Sequence, residues 1–477
     1  MNRRTMLKLG ALGLAASTLG ILAEEEWLPQ RIAHAAPPNL PDIQFDISNY
    51  IAPARSIDGV LFRFGPVHTL FITARLKRIP TLSDQHILSE AMNSIENSYT
   101  FNPAGVFSFI SYGLPYFNRL LADIVADKMP RLLVEHTRFA LEEAIPGPTD
   151  VSPLNPDITK QTFNVPVSIE SNDVLFTFRS DSLANLRSIA AWFQGSNHLN
   201  GRFVQSPAFG HLFHFTSARL MFLQIGMPRK IASSNALPYA GSINPHSPMW
   251  MGFADQQIAG AGPAAITTFQ GNSSARLTNT KAGDYFYNGS IQHFSHVILD
   301  LSQFYASNEP YTERCQYMFR SNPIPSTGYK NQYKDGGGPA FFANSYQGAS
   351  DALANAEAIN TYQHEHRMGH LTALQRSSRA ADSTPIHIRM DGPGFDALDV
   401  PGGYQQPKLQ FTIFVPAADF FATMRKNQAA LDLVEQHGVQ SDDNGLERFL
   451  TATRRQNFLV PPRAHRAFPL LELALHQ

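Results

Sequence analysis

Strand-like and helix-like patterns alternate at both ends of this chain, and that rhythm narrows the folds open to it. Residues 59–65 and 68–75 are short, β-branched and aromatic, which predicts strands. Over 82–97, Ile87, Leu88, Met92 and Ile95 lie along one helical face behind Ser83-Asp84. A strand over 105–113 follows. Residues 174–179 predict a strand, 182–193 a helix opened by Ser180-Asp181, and 220–225 another strand. Near the C-terminus the pattern returns. Residues 408–415 read as a strand, and 417–437 as a helix with Phe420, Met424, Leu431 and Val434 in one stripe. Gly438 stops that helix, and 458–460 closes the unit before Pro461-Pro462. This order predicts an α+β fold in which two halves, 59–245 and 246–477, pack as one unit with helices on one sheet face.

The connecting segments carry less pattern. Residues 36–58 are proline-rich and predict an irregular lead-in; 114–143 are mixed, with helical stretches; 146–166 form a Pro/Asp/Asn-rich connection. Residues 278–306 alternate turn signals with apolar runs such as 297–301. Residues 322–348, with Gly336-Gly337-Gly338, read as an irregular insertion, and 349–370 as a helix.

The N-terminus constrains location. Arg3-Arg4-Thr5-Met6-Leu7-Lys8 precedes a charge-free apolar run over 9–23, and Ala33-His34-Ala35 supplies a small-x-small cleavage pattern. Residues 1–35 resemble a twin-arginine signal peptide, which implies export of a folded protein to the periplasm or beyond the cell, often with its cofactor already inserted. The run is too short and too rich in Gly and Ala for a stable membrane span, so none is expected after cleavage. A single cysteine, Cys315, excludes an internal disulfide and a multi-cysteine zinc site, and reads as an inert core thiol. The net charge of −1 gives no electrostatic case for nucleic acid or a membrane surface.

Chemistry concentrates in one segment. His364, His366, His370 and His387 fall within 24 residues. A helix running to 370 places His366 and His370 on one face. His364 and His366 would project about 200° apart on it, and no H-E-x-x-H spacing is present. The pattern therefore argues against a site built from several imidazoles. It leaves a single histidine ligand, or a core or capping histidine.

Two motifs sharpen this. Gly369-His370-Leu371-Thr372 is followed by Ile386-His387-Ile388-Arg389, with His370 and Arg389 19 residues apart, and then by Gly392-Pro393-Gly394 and the strand–helix unit. Upstream stands Met251-Gly252-Phe253-Ala254-Asp255-Gln256, similar to G-x-x-D-G with Gln256 in place of the last glycine. In this order the segments resemble those of the dye-decolourising (DyP-type) haem peroxidases. The resemblance implies two ferredoxin-like halves, haem b as cofactor, and His370 as the proximal iron ligand. It further implies Asp255 as the acid–base group, Arg389 as the charge stabiliser also beside the cofactor, and Gly252 and Phe253 as cofactor neighbours. The activity implied is oxidation of a small organic reductant by hydrogen peroxide, and self-association into a homo-oligomer is left open. The alternatives are a non-catalytic haem or porphyrin binder, a haem-less relative of the same fold, or an exported structural or binding protein with an unrelated role. Gln256 is the sharpest departure, because it adds bulk where a glycine lets backbone approach a ring. Asp391 reads as a solvated turn aspartate, and His364, His366 and His387 as neighbours without a role.

Overall fold

The computed structural model describes residues 40–57, 59–257, 263–271, 277–306, 311–319, 340–344, 359–360, 362–364, 368–370, 385–430, 437–438 and 445–475. The signal expected over 1–35, Gln256's side chain, His366 and most of the stretches expected as an insertion (322–348) and a helix (349–370) lie outside them.

The N-terminal half contains β1 (His68–Leu76), α1 (Leu82–Ser98), β2 (Phe107–Gly113), β3 (Val174–Ser180), α2 (Leu183–Phe193) and β4 (Phe213–Phe222). These strands pair antiparallel in the order β2-β3-β1-β4, so each helix crosses from one strand to a partner two places along: the ferredoxin-like arrangement. α1 starts at Leu82, where the sequence puts it, with Thr81 rather than Ser83 as its cap. Thr81 accepts from the Asp84 N–H, while the Asp84 carboxylate accepts from the Thr81 N–H, a reciprocal cap. Arg78 locks Asp84 from outside at 2.6 and 2.8 Å.

The C-terminal half opens with β5 (Ala254–Gln257) and continues through β6 (Ser290–Leu299), β7 (Phe341–Asn344), β8 (Ile388–Arg389), β9 (Gly392–Asp396), β10 (Gln406–Val415), α3 (Ala418–Gln428) and β11 (Leu450–Val460). β8 and β9 both pair with β10, and the order β9-β10-β6-β11 repeats that of the first half. β11 then pairs with β2, Phe458 opposite Gly113 and Leu459 opposite Tyr112, and this fuses the halves into one ten-stranded sheet. The outer strands β4 and β9 come together as the sheet curls. A Cβ added to Gly394 would lie 3.2 Å from the Leu220 carbonyl oxygen, and one on Gly392 the same distance from that of Phe222.

One face of the curled sheet buries Leu70, Ile72 and Ile110 against Leu88 and Met92 of α1 and Leu186 and Ile189 of α2; Ile413 and Phe421 extend the same core under α3. The opposite face gathers Phe71 and Phe109 with Phe294 and Phe414 from the other half. The lead-in read as irregular feeds this centre, with Phe45 stacked 4.1 Å from Phe414 and Gln44 donating to the Pro461 carbonyl at 2.7 Å. It ends in a hairpin, Arg55–Ile57 with Val60–Phe62, which shortens the strand expected over 59–65. The stretch expected as an irregular insertion contains β7 in its described part. None of the described helices is long and apolar enough to cross a membrane. Cys315 is buried, and burial pushes its thiol up to about 12.

Candidate functional site

β5 stands outside the ten-stranded sheet. It pairs in parallel with β7, Asp255 opposite Phe342, and the Ala254 N–H donates to the Ala340 carbonyl at 2.8 Å. The chain enters β5 through Gly252, whose φ is +82°. A Cβ there would sit 3.0 Å from the Tyr305 hydroxyl, which itself donates to the Trp250 carbonyl at 2.9 Å. Both the conformation and the space therefore call for glycine. Phe253 is buried against Tyr311 and Phe319.

Across from β5, the edge strands β8 and β9 present a second set of groups. Met390 is buried with Phe294 and Phe414, so Arg389 and Asp391 on either side of it share the opposite direction. Arg389 Nη2 donates to Asp255 Oδ2 at 2.8 Å. The Asp255 carboxylate, with Asp391 adding to it, holds the guanidinium above its ordinary pKa despite burial. Burial raises the Asp391 carboxyl above the usual carboxylate range, against the pull of Arg389. Asp391 is thus not the solvated turn residue expected: it lines the same cavity as Asp255 and Arg389.

His370 completes the constellation. Gly445 packs beneath it in a left-handed conformation (φ +55°), and a Cβ at 445 would lie 2.9 Å from the His370 Cα and backbone nitrogen. Burial lowers the imidazole to about 4, with Glu447 and Asp255 pulling the other way. Its Nδ1 is buried with no hydrogen-bond partner among the described residues. The ring is neutral at physiological pH and keeps an unused lone pair or N–H.

These side chains line one cavity of about 620 Å³, within the range of roughly 300–1,000 Å³ usual for small-molecule and cofactor sites. Val297, Leu409, Phe411, Phe421 and Met424 make its walls largely apolar. Of the other histidines, His387 lies in the wall, while His364 is exposed and bonds the Asn360 carbonyl at 2.8 Å. Among the described residues no group of three or more His, Cys, Asp and Glu is placed to hold a bare metal ion.

A buried ionic wall lies under α3. Arg455 grips Asp150 through two bonds of 2.6 and 2.8 Å and donates to Ser295 Oγ at 2.8 Å. Arg425 donates to Glu447 at 3.0 Å, and Gln428 to the same carboxylate at 2.5 Å. Burial disfavours the Glu447 anion, but Arg425 and Lys160 hold its carboxyl at about 2. Asp150, Arg425 and Arg455 reach the cavity surface. No spacing in the sequence signals them, because Asp150 and Arg455 stand 305 positions apart.

Residues 66–462 match a family described as a family of unknown function (DUF7405). The chain belongs to that family. No curated protein matches it in sequence. Among solved structures it is similar to the encapsulated DyP-type peroxidase from Mycobacterium smegmatis, with 12% identity, a TM-score of 0.50, and coverage of 88% of this chain and 98% of that one. It is also similar to a dye-decolorizing protein from V. cholerae (10%, TM-score 0.43, 84% and 95% covered). A third is a variant of DypB from Rhodococcus jostii in complex with heme (11%, TM-score 0.44, 84% and 95% covered). The DUF7405 chain thus has the α+β fold of the DyP-type peroxidases.

Proposed function

We propose that this DUF7405 protein is a haem-dependent peroxidase that uses hydrogen peroxide to oxidise a small organic reductant. One observation carries the reading: His370, whose buried Nδ1 has no partner among the described residues, and the Asp255–Arg389 ion pair line the same apolar cavity. The residues fit haem b. The cavity is large and mostly apolar, as a macrocycle needs, and an imidazole held neutral by burial can ligate iron. The fold shared with a DyP-type peroxidase supports the same reading.

His370 is the residue that would hold the iron, with the apolar walls holding the ring. Haem would supply the iron redox chemistry that cleaves the peroxide O–O bond. Asp255 takes a proton from one peroxide oxygen and returns it to the other, as general base and then acid. Arg389, charged at any working pH, stabilises the negative charge that develops as that bond breaks. Asp391 keeps a second acid at the same wall, with an affinity for protons raised by burial.

Hemin titration tests the proposal. A strong Soret band should appear with the native chain and be lost or shifted in His370→Ala. A protein that stays colourless with hemin overturns it. If hemin binds but Asp255→Ala and Arg389→Leu leave peroxide turnover unchanged, a haem binder without this catalysis is the correct description. We further propose export by the twin-arginine route, on the strength of Arg3-Arg4 and the segment after them. Replacing both arginines with lysine should retain the protein in the cytoplasm.

A further inference from the structure

The strand that carries Asp255 takes its position from outside the main sheet. Among the described residues β5 pairs with β7 alone, and a two-stranded ribbon is not stable without something to pack on. That support is the N-terminal hairpin. The Phe62 ring lies 4.7 Å from Phe341 of β7 at 73°, and Phe64 lies 6.1 Å from it at 90°. Ile57, Val60, Ala254 and Ala340 complete this small cluster, in which Phe62 and Phe341 are both buried. The hairpin is tethered in turn. Arg63 donates to the carbonyls of Ala52 at 3.0 Å and Ile51 at 3.1 Å, and also to that of Ser48. Phe62 and Phe64 then reach the wall of the cavity that Asp255 lines.

We propose that Phe62 is a positioning residue for Asp255. Through Phe341 it fixes the β5 backbone, so that the hairpin sets where the carboxylate stands against Arg389. The catalytic consequence rests on the peroxidase reading; the structural one rests on geometry. An acid that moves a proton within a bound peroxide must be held to within roughly half an ångström. Arg389 restrains the carboxylate end of Asp255, and the hairpin restrains the backbone end.

Amide hydrogen exchange on the full chain without hemin is the direct test. Phe62→Ala should speed exchange at the amides of 254–257 at least tenfold and leave His68–Leu76 unchanged. Phe62→Leu should restore most of the protection, and Leu61→Ala, an exposed position of the same hairpin, should change nothing. Unaltered exchange at 254–257 in Phe62→Ala overturns the proposal, and so does acceleration that spreads equally through β1. In hemin-loaded protein, Phe62→Ala should keep the Soret band, lower peroxide turnover at least tenfold and add no further loss in an Asp255→Ala background. A further loss of the same size in that background overturns the positioning role. If no hemin is taken up, the peroxidase reading fails while the exchange result still decides the structural claim.

Discussion

Arg389 donates to Asp255 across 2.8 Å although 134 positions separate them in the chain. The bond joins an edge strand of the ten-stranded sheet to the separate β5–β7 ribbon. It is also the point at which the two ends of the candidate site meet.

Breaking that pair should act on rate and on the titration of Asp391 together. Arg389→Leu is expected to lower peroxide turnover by about 10²–10³, and Asp255→Asn by about 10²–10⁴. Because Arg389 opposes the burial that raises Asp391, its loss leaves that carboxyl higher still. The Asp391 carboxyl should then protonate at higher pH in Arg389→Leu, which infrared difference spectra across pH would measure.

Gly445→Ala should strike at His370 through the backbone. The left-handed φ and the 2.9 Å approach to His370 both penalise a methyl group. A cost of about 1–3 kcal/mol is expected, together with weaker hemin uptake. Thermal melts and hemin titration on the same sample would check both.

Asp150→Ala should be among the more damaging single changes away from the β5 ribbon. It strips Arg455 of two bonds and leaves that buried cation without its carboxylate, while Arg425 keeps Glu447. Removing one partner of a buried pair costs about 3–5 kcal/mol, read as a lower midpoint in urea denaturation.

His68 supplies a pH prediction of known sign. It is buried, and burial, reinforced by Arg187, lowers its pKa to about 4 from an ordinary 6.5. The unfolded chain therefore takes up a proton that the folded chain refuses. Stability is fully present above pH 6.5 and falls as pH drops from there toward 4, by up to about 3 kcal/mol from this residue. His68→Leu should flatten that part of the stability–pH curve.

What the sequence reveals and hides follows from which strands bury apolar side chains. β1, β3 and β10 are β-branched and aromatic, and they stand close to where pattern puts them. β6 and β11 are nearly hidden, although all ten residues of β6 are buried. Gln292, His293, Ser295 and His296 satisfy one another and distant partners there, with His293 bonded to Asn457 at 2.7 Å and to Ser295 at 2.6 Å. In β11, Arg454 and Arg455 are matched by Asp399, Glu170 and Asp150. Periodicity cannot register a strand whose buried side chains are polar, since the compensating partners lie hundreds of residues away. His370, Asp255 and Arg389 were legible as motifs. Their convergence on one cavity, the wall position of Asp391 and the support from Phe62 and Gly445 depend on tertiary contacts that no local spacing encodes.

The approach of β4 to β9 over Gly392 and Gly394 bears on how copies of this protein can associate. A sheet whose outer strands face each other offers little unpaired backbone as a template for another chain. Growth by strand addition and exchange of edge strands between molecules are thereby discouraged in the folded state. An oligomer built through other surfaces would leave the sheet intact inside each subunit.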